Sequence, residues 1–280
     1  MGCLLLHGGV VCARKVHVTA TPGSGLGERV CLVTGAARGI GRASAIVLAS
    51  KGAKVVVVDT SESSDDVVKT IRGQGGQASS VIADVSTAAG AERACEAALS
   101  SFGRLDSLIN NAGILRLADS FADTTDAQFN DLMRVNFESV FRMCKAALPG
   151  LEASGRGVIV NVASMVGHRI GMPAHAVYGA SKAAVVGLSM TMAVELAPRG
   201  IRVNCVAPGV VATDLYVEEF LKDHSRDELE EGGDKTLSAI PIGSYASPDQ
   251  IGRSIAFLAG DESDYITGQT LLIDGGYTGL

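Results

Sequence analysis

The sequence has no tryptophan, and aromatic residues make up only 4% of its 280 positions. It therefore has little with which to stack bases or sugars. It also has no cluster of lysine and arginine, and its net charge is −6. Both features argue against a nucleic-acid partner. The six cysteines (Cys3, Cys12, Cys31, Cys95, Cys144 and Cys205) are scattered, with no Cys-x-x-Cys pair. They lack the spacing of a zinc site and fit reduced, buried thiols in a cytoplasmic protein, so neither disulfides nor a metal is expected. No apolar run reaches the ~18 residues of a membrane span, so no membrane partner is expected either.

Residues 1–28 differ in kind from the rest. They hold no acidic residue before Glu28 and end in Thr21-Pro-Gly-Ser-Gly-Leu-Gly27. A secretory signal needs an apolar stretch of about 7–15 residues, whereas Leu4-Leu-Leu6 is cut short by His7-Gly-Gly9. Met1-Gly-Cys3 begins like a myristoylation signal, but Leu6 stands where Ser or Thr is required. The segment is read as a disordered extension; with Arg14, Lys15 and no acids, an organelle transit peptide stays open.

What the chain does have is 47% apolar residues, with Ala, Val and Gly dominant, enough for a sizeable core in one domain over 29–280. Short apolar runs predict strands at Val30–Thr34, Lys54–Asp59, Ala78–Ala83, Ser107–Asn110, Val158–Val162, Arg202–Val206 and Thr270–Ile273. Between them, helical patterns cover Arg42–Ala49, Asp65–Gln74, Ala88–Phe102, Asp126–Leu151, Ala176–Ala197 and Asp249–Ala259. The unbroken apolar character of Lys54-Val-Val-Val-Val-Asp59 fits a parallel strand covered on both faces. Strands alternating with helices predict an α/β fold, a doubly wound, Rossmann-like parallel sheet of seven strands.

The first strand runs straight into Gly35-Ala-Ala-Arg-Gly39-Ile-Gly41 and then a helix. Glycines let the backbone turn sharply and approach a ligand closely. The helix that follows aims free N–H groups and a positive dipole end at the same place, which suits a pyrophosphate. Asp59 ends the second strand, 18 residues after Gly41. A carboxylate there accepts from an adenosine ribose 2′-hydroxyl and repels a 2′-phosphate. Thr60-Ser-Glu62 adds no basic residue, so NAD is preferred, while Arg38 keeps NADP open.

Tyr178-Gly-Ala-Ser-Lys182 places a phenol and an ammonium one helical turn apart. A free tyrosine titrates near ~10, and a cationic neighbour favours the phenolate. The spacing therefore predicts a phenol with a lowered pKa, usable as a general acid/base.

Together these segments resemble the classical short-chain dehydrogenases/reductases. The resemblance spans about Glu28 to Leu280 and rests on Thr34-Gly-Ala-Ala-Arg-Gly-Ile-Gly41, Asp84-Val85, Asn110-Asn-Ala-Gly113, Asn136, Ser164, Tyr178-Gly-Ala-Ser-Lys182 and Pro208-Gly209 with Thr213. It implies strand order 3-2-1-4-5-6-7 and a nicotinamide cofactor along the carboxyl ends of the strands. The glycine-rich turn (Gly35, Arg38, Gly39, Ile40, Gly41) and Asp59 are its cofactor residues. Asp84 is implied to bond the adenine amino group, with Val85 against the ring, and Asn111-Ala112-Gly113 to wall the adenosine ribose. Pro208-Gly209-Val210-Val211 is implied to face the nicotinamide, with the Val211 N–H and the Thr213 hydroxyl holding its carboxamide and the pyrophosphate. In catalysis, Tyr178 is implied to exchange the proton and Ser164 to bond the same substrate oxygen. Lys182 is implied to lower the tyrosine pKa and to bond the ribose, and Asn136 to hold water beside Lys182.

The substrate side is less determined. A variable lid is expected over 212–240. Ser164, Met165, His175, Tyr178 and Tyr216 are the candidate substrate contacts, with Leu115, His168 and Met172 as further lining residues. No phosphate or carboxylate clamp stands out, so a neutral secondary alcohol or ketone is expected. A 3-oxoacyl-thioester reductase using NADPH is the second reading, and a catalytically silent cofactor-binding sensor or scaffold the third. By resemblance, the long helices imply a homotetramer.

Overall fold

The computed structural model describes residues 4–6, 9–11, 25–118, 120–213 and 236–279. Seven strands form one parallel sheet: β1 (Val30–Thr34), β2 (Lys54–Asp59), β3 (Gln77–Ile82), β4 (Ser107–Asn110), β5 (Val158–Val162), β6 (Arg202–Pro208) and β7 (Thr270–Ile273). Their order is 3-2-1-4-5-6-7, as the resemblance implied. Apart from this sheet, Leu4–Leu6 pairs antiparallel with Gly9–Val11.

Side chains of a strand alternate between faces, and the sequence fills both with small apolar groups. Cys31 and Val33 of β1 join Val55 and Val57 of β2 on one face. There they meet helices α1 (Gly39–Ser50) and α2 (Ser64–Gly73), together with the carboxyl-terminal helix Pro248–Ala259. Val30, Leu32, Val56 and Val58 line the other face. That face packs on α3 (Ala88–Phe102), on the helical stretch from Asp126 to Ser154, and on Ala176–Leu196. Each fully buried Val or Leu contributes roughly 1.5–3 kcal/mol, so the polarity of the strand ends, not of their middles, decides where the sheet meets solvent.

Several element boundaries differ from the sequence reading, most by one or two residues. The third strand starts one residue earlier, at Gln77, and the sixth runs on to Pro208. The single helix expected over Asp126–Leu151 is three pieces: α4 (Asp126–Met133), a π-helical turn at Arg134–Glu138, and α5 (Ser139–Ser154). The next two helices are α6 (Ala176–Leu196) and α7 (Pro248–Ala259). Helix α4 starts with a capping box, Thr125 accepting from the Gln128 N–H and Gln128 accepting from that of Thr125, a pairing that satisfies two otherwise orphaned donors.

Because all seven strands are parallel, their carboxyl ends share one edge. There β1 leads to Gly35, β4 to Asn111, β5 to Ser164 and β6 to Gly209, and all four line one cavity.

Candidate active site

The cavity holds about 620 Å³. One end is bounded by Arg38, Asp59, Asp84 and Val85, the other by Ser164, Met165, His175, Tyr178 and Lys182.

The first end is built by the β1–α1 turn. Gly35 and Gly39 have φ of 61° and 54°, a left-handed region that other residues rarely enter. A Cβ on Gly35 would lie 2.8 Å from the Ala112 Cα. The turn is tied down on both sides. The Ala37 N–H donates to Asp59 Oδ2 at 2.9 Å, and Asn111 Nδ2 donates to the carbonyls of Thr34 and Gly35, both at 2.9 Å. Helix α1 has neither an acidic residue in its first turn nor a side-chain cap, so its positive end remains available to an anion. A glycine-walled cradle at a helix amino terminus, with a carboxylate at the tip of β2, has the shape and charge that an adenine dinucleotide needs.

At the other end, Ser164 and Lys182 are buried, and Tyr178 is partly exposed toward the cavity. Lys182 Nζ donates to the Val162 carbonyl at 2.9 Å and lies 5.9 Å from the centre of the Tyr178 ring. Ser164 Oγ accepts from the Val166 N–H at 3.2 Å, and the Ser164 side chain acts on Tyr178 in the sense that favours the phenolate. His175 packs edge-on against Tyr178, ring centres 6.1 Å apart, with its Nδ1 2.7 Å from the Pro173 carbonyl. The preceding Ala174, with φ of 63°, sits in the left-handed region and lines the cavity.

A family model described as enoyl-(acyl carrier protein) reductase matches residues 35–278. The 3-oxoacyl-[acyl-carrier-protein] reductase FabG of Thermotoga maritima is 39% identical over 249 residues, covering 89% of this chain and 97% of that protein. Oxidoreductase UcpA of Salmonella typhimurium is 37% identical over 250 residues, covering 89% of this chain and 94% of that protein. A solved short-chain type dehydrogenase/reductase from Mycobacterium marinum superposes with a TM-score of 0.82 at 34% identity, covering 90% of this chain and 96% of that one. The chain is a classical short-chain dehydrogenase/reductase. As such it is an oxidoreductase acting on CH–OH and keto groups, and NAD(P) binding goes with the family.

Within this short-chain dehydrogenase/reductase, most residues singled out from the sequence do meet at the cavity. Gly35, Arg38, Gly39, Ile40, Asp59, Asp84, Val85, Asn111, Ala112, Gly113, Pro208, Gly209, Val211 and Thr213 all line it, as do Ser164, Met165, His175, Tyr178 and Lys182. Leu115 and Met172 line it too, whereas His168 does not. Tyr216 and most of the expected lid lie outside the described residues.

Gly41 and Asn136 belong to the scaffold behind the wall. A Cβ on Gly41 would lie 2.1 Å from the Gly35 carbonyl oxygen and 2.5 Å from Asn111 Nδ2. This glycine lets the turn fold back on itself. Asn136 is fully buried. Its Oδ1 accepts from the Ile114 N–H at 2.8 Å, and its Nδ2 donates to the Ile114 carbonyl at 3.0 Å and to Ser181 Oγ at 3.1 Å. It still adjoins the lysine: a Cβ on Gly113 would lie 3.2 Å from Asn136 Oδ1 and 3.4 Å from Lys182 Nζ.

The lowered phenol is the expectation that fails. Burial pushes the Tyr178 pKa above its ordinary value, and the Ser164 hydrogen bond pulls it only part of the way back. Burial also pushes Lys182 down to about 8, since the Val162 carbonyl that accepts from its ammonium does not replace the water lost. Tyrosine–lysine spacing carries no information about how much water either group loses.

Two contributors were missed. The Thr34 hydroxyl accepts from the N–H groups of Asn111 and Ala112, both at 3.0 Å, joining β1 to the β4 loop. Ser181, inside the Tyr178–Lys182 segment, donates to the Tyr178 carbonyl at 2.7 Å while accepting from Asn136. A serine on the same helical turn as Tyr178 and Lys182 was the available signal. The four described cysteines are free and buried, with Cys31, Cys95 and Cys144 pushed up to about 12 by burial; thiols held protonated in this way are inert.

Proposed function

We propose that this oxidoreductase transfers a hydride between NAD(H) and a neutral secondary alcohol or ketone, with Tyr178 as general acid/base. The carrying observation is that Ser164, Tyr178 and Lys182 share one end of a cavity whose far end holds Asp59. When bound, the nicotinamide supplies or takes up the hydride. In reduction, Tyr178 donates its proton to the developing alkoxide, a task suited to a phenol held protonated at neutral pH. Ser164, its oxygen already accepting from Val166, turns its own proton to the same substrate oxygen. Lys182 stabilises the phenolate left behind. In oxidation the same residues run in reverse, and Tyr178 must first lose its proton.

A neutral substrate is supported by the catalytic-end wall of Leu115, Met165, Val166, Met172 and His175. Among the described residues, Arg38 and Lys182 are the only lysines or arginines lining the cavity, and these residues form no clamp for a substrate carboxylate or phosphate. The FabG relatives favour a second reading, an NADPH-dependent 3-oxoacyl-thioester reductase. Initial rates with NADH and NADPH, on a ketone panel and on an acetoacetyl thioester, separate the two. NADH with simple ketones is the expected outcome, and turnover confined to the thioester with NADPH would reverse the choice.

Asp59 is the lever on cofactor choice. A carboxylate facing a 2′-phosphate is repelled by it, so NADH is expected to bind at least ~10-fold tighter than NADPH. Asp59→Asn keeps a carbonyl oxygen to accept from Ala37 and removes the charge. It is expected to cut that preference by about tenfold, read by fluorescence titration; an unchanged ratio argues against the assignment.

A homotetramer in the cytoplasm completes the proposal. Helix α6 is long and apolar enough to cross a membrane by length and composition. Its inner residues Gly179, Ser181, Lys182, Val185 and Ser189 are buried, but Met190 and Val194 are 57% and 78% exposed, as is half of Phe141 on α5. A second copy covers such a face more readily than water does. Light scattering is expected to return four times the chain mass, and a monomer mass would remove the assembly from the proposal.

A further inference from the structure

The π-helical turn at Arg134–Glu138 sends two side chains in different directions. Such turns insert an extra residue and re-aim the side chains around them. Asn136 goes inward to Ile114 and Ser181. Arg134 reaches instead to the loop between β3 and α3. Its Nη1 donates to Ser86 Oγ at 2.5 Å and lies 3.7 Å from Asp84 Oδ2, while its Nη2 donates to Asp131 Oδ1 at 3.2 Å. Two turns further on, Arg142 Nη1 donates to the Ser86 carbonyl at 2.8 Å, and its other terminal nitrogen pairs with Glu138 at 2.7 Å.

Ser86, so gripped, fixes Asp84. Its N–H and hydroxyl both donate to Asp84 Oδ1, at 3.0 and 2.7 Å. Ser86 is almost fully buried, and it lines the cavity together with Asp84, whereas neither arginine does. The arrangement leaves Oδ2 as the carboxylate oxygen not held by Ser86. The bonds from Ser86, and then the Arg134 and Arg142 charges, keep the Asp84 carboxyl below its usual range. An ionised carboxylate is an acceptor only, which is what an exocyclic amine requires.

We propose that Arg134 is a positioning residue for adenine recognition: from the π-turn it locks Ser86 and Asp84 so that the carboxylate presents one oxygen to the amino group of a bound adenine. This rests on the dinucleotide reading of the cavity. The arginine touches no part of the nucleotide; it acts through Ser86 and Asp84. The same turn carries Asn136, so the adenine end and the lysine end of the site hang on one five-residue stretch.

The test compares full dinucleotides, NADH and NADPH, with reduced nicotinamide mononucleotide, which lacks the adenosine half. Calorimetric titration of Arg134→Met is expected to show Kd for the better dinucleotide raised about tenfold and that for the mononucleotide changed less than about twofold. Arg134→Lys, which keeps the charge, should recover affinity to within about threefold of wild type, and Ser86→Ala should mimic Arg134→Met. At saturating cofactor, kcat of Arg134→Met should stay within about twofold. Arg134 is half exposed, so its variants are expected to keep the wild-type Tm; Arg134→Gln, held to the same two affinities, carries the test should Arg134→Met not fold. Unchanged dinucleotide affinity, or equal losses for dinucleotide and mononucleotide, overturns the proposal while leaving the dinucleotide reading intact. Wild-type protein that binds no dinucleotide sinks the reading itself, and the role of Arg134 with it.

Discussion

Replacing Tyr178 with phenylalanine is expected to lower kcat for ketone reduction by about 10³-fold, within the 10²–10⁴-fold range of positioned acid–base groups. The variant keeps the ring that packs against His175 and loses only the hydroxyl. Ser164 then has no phenol to act on, but its bond from Val166 remains, so the wall of the cavity is expected to hold. Cofactor affinity, measured by fluorescence titration, should change by less than about threefold, because the cradle at Gly35 and Asp59 is untouched. This pairing of outcomes separates chemistry from folding. Turnover within tenfold of wild type would show that the proton comes from elsewhere. The raised phenol pKa sharpens the expectation for direction: wild-type reduction should proceed readily at pH 7, whereas oxidation, which needs the phenolate, should climb as pH rises.

What could be read from the sequence was local. Gly35 and Gly39 announce a left-handed turn because only glycine enters that region cheaply, and the run Lys54-Val-Val-Val-Val-Asp59 announces a buried parallel strand. The tyrosine and lysine share a helix face for the same local reason. Features set by distant partners were hidden. Nothing near Arg134 marks a π-turn, since the inserted residue is stabilised by Asn136 reaching Ile114, 22 positions away. The role of Gly41 depends on Asn111 crossing from another strand. The tyrosine's pKa was misjudged because charge proximity is visible in a spacing and desolvation is not. Burial is a property of the assembled fold, and here it outweighs the pull of Ser164 toward the phenolate.

Lys182 shows the same balance from the side of stability, and Lys182→Met is expected to be inactive and more stable at once. An ammonium that is 5% exposed, with a pKa pushed from 10.5 down to about 8, is a group the folded state would rather hold neutral. Unfolded chain binds the proton more tightly, so at pH 7, below both values, the full cost of about 3 kcal/mol opposes folding. That cost shrinks as pH rises from about 8 to 10.5 and is gone above it. Methionine fills similar volume without a charge. It gives up the bond to the Val162 carbonyl, a loss of about 1 kcal/mol, which leaves a net gain of roughly 2 kcal/mol. For a domain of this size the gain appears as a Tm higher by about 4–8 °C at pH 7, and the difference should narrow when the melts are repeated at pH 9.5. Activity should move the opposite way, falling by at least ~10²-fold as the phenolate loses its countercharge. In the wild type, reductive kcat/KM should decline above pH 8 as the ammonium deprotonates, a limb that the methionine variant lacks. A Tm that falls at pH 7, or a wild-type rate that stays level past pH 9, would mean that Lys182 is comfortable where it sits and that its charge is not held there against the fold for catalysis.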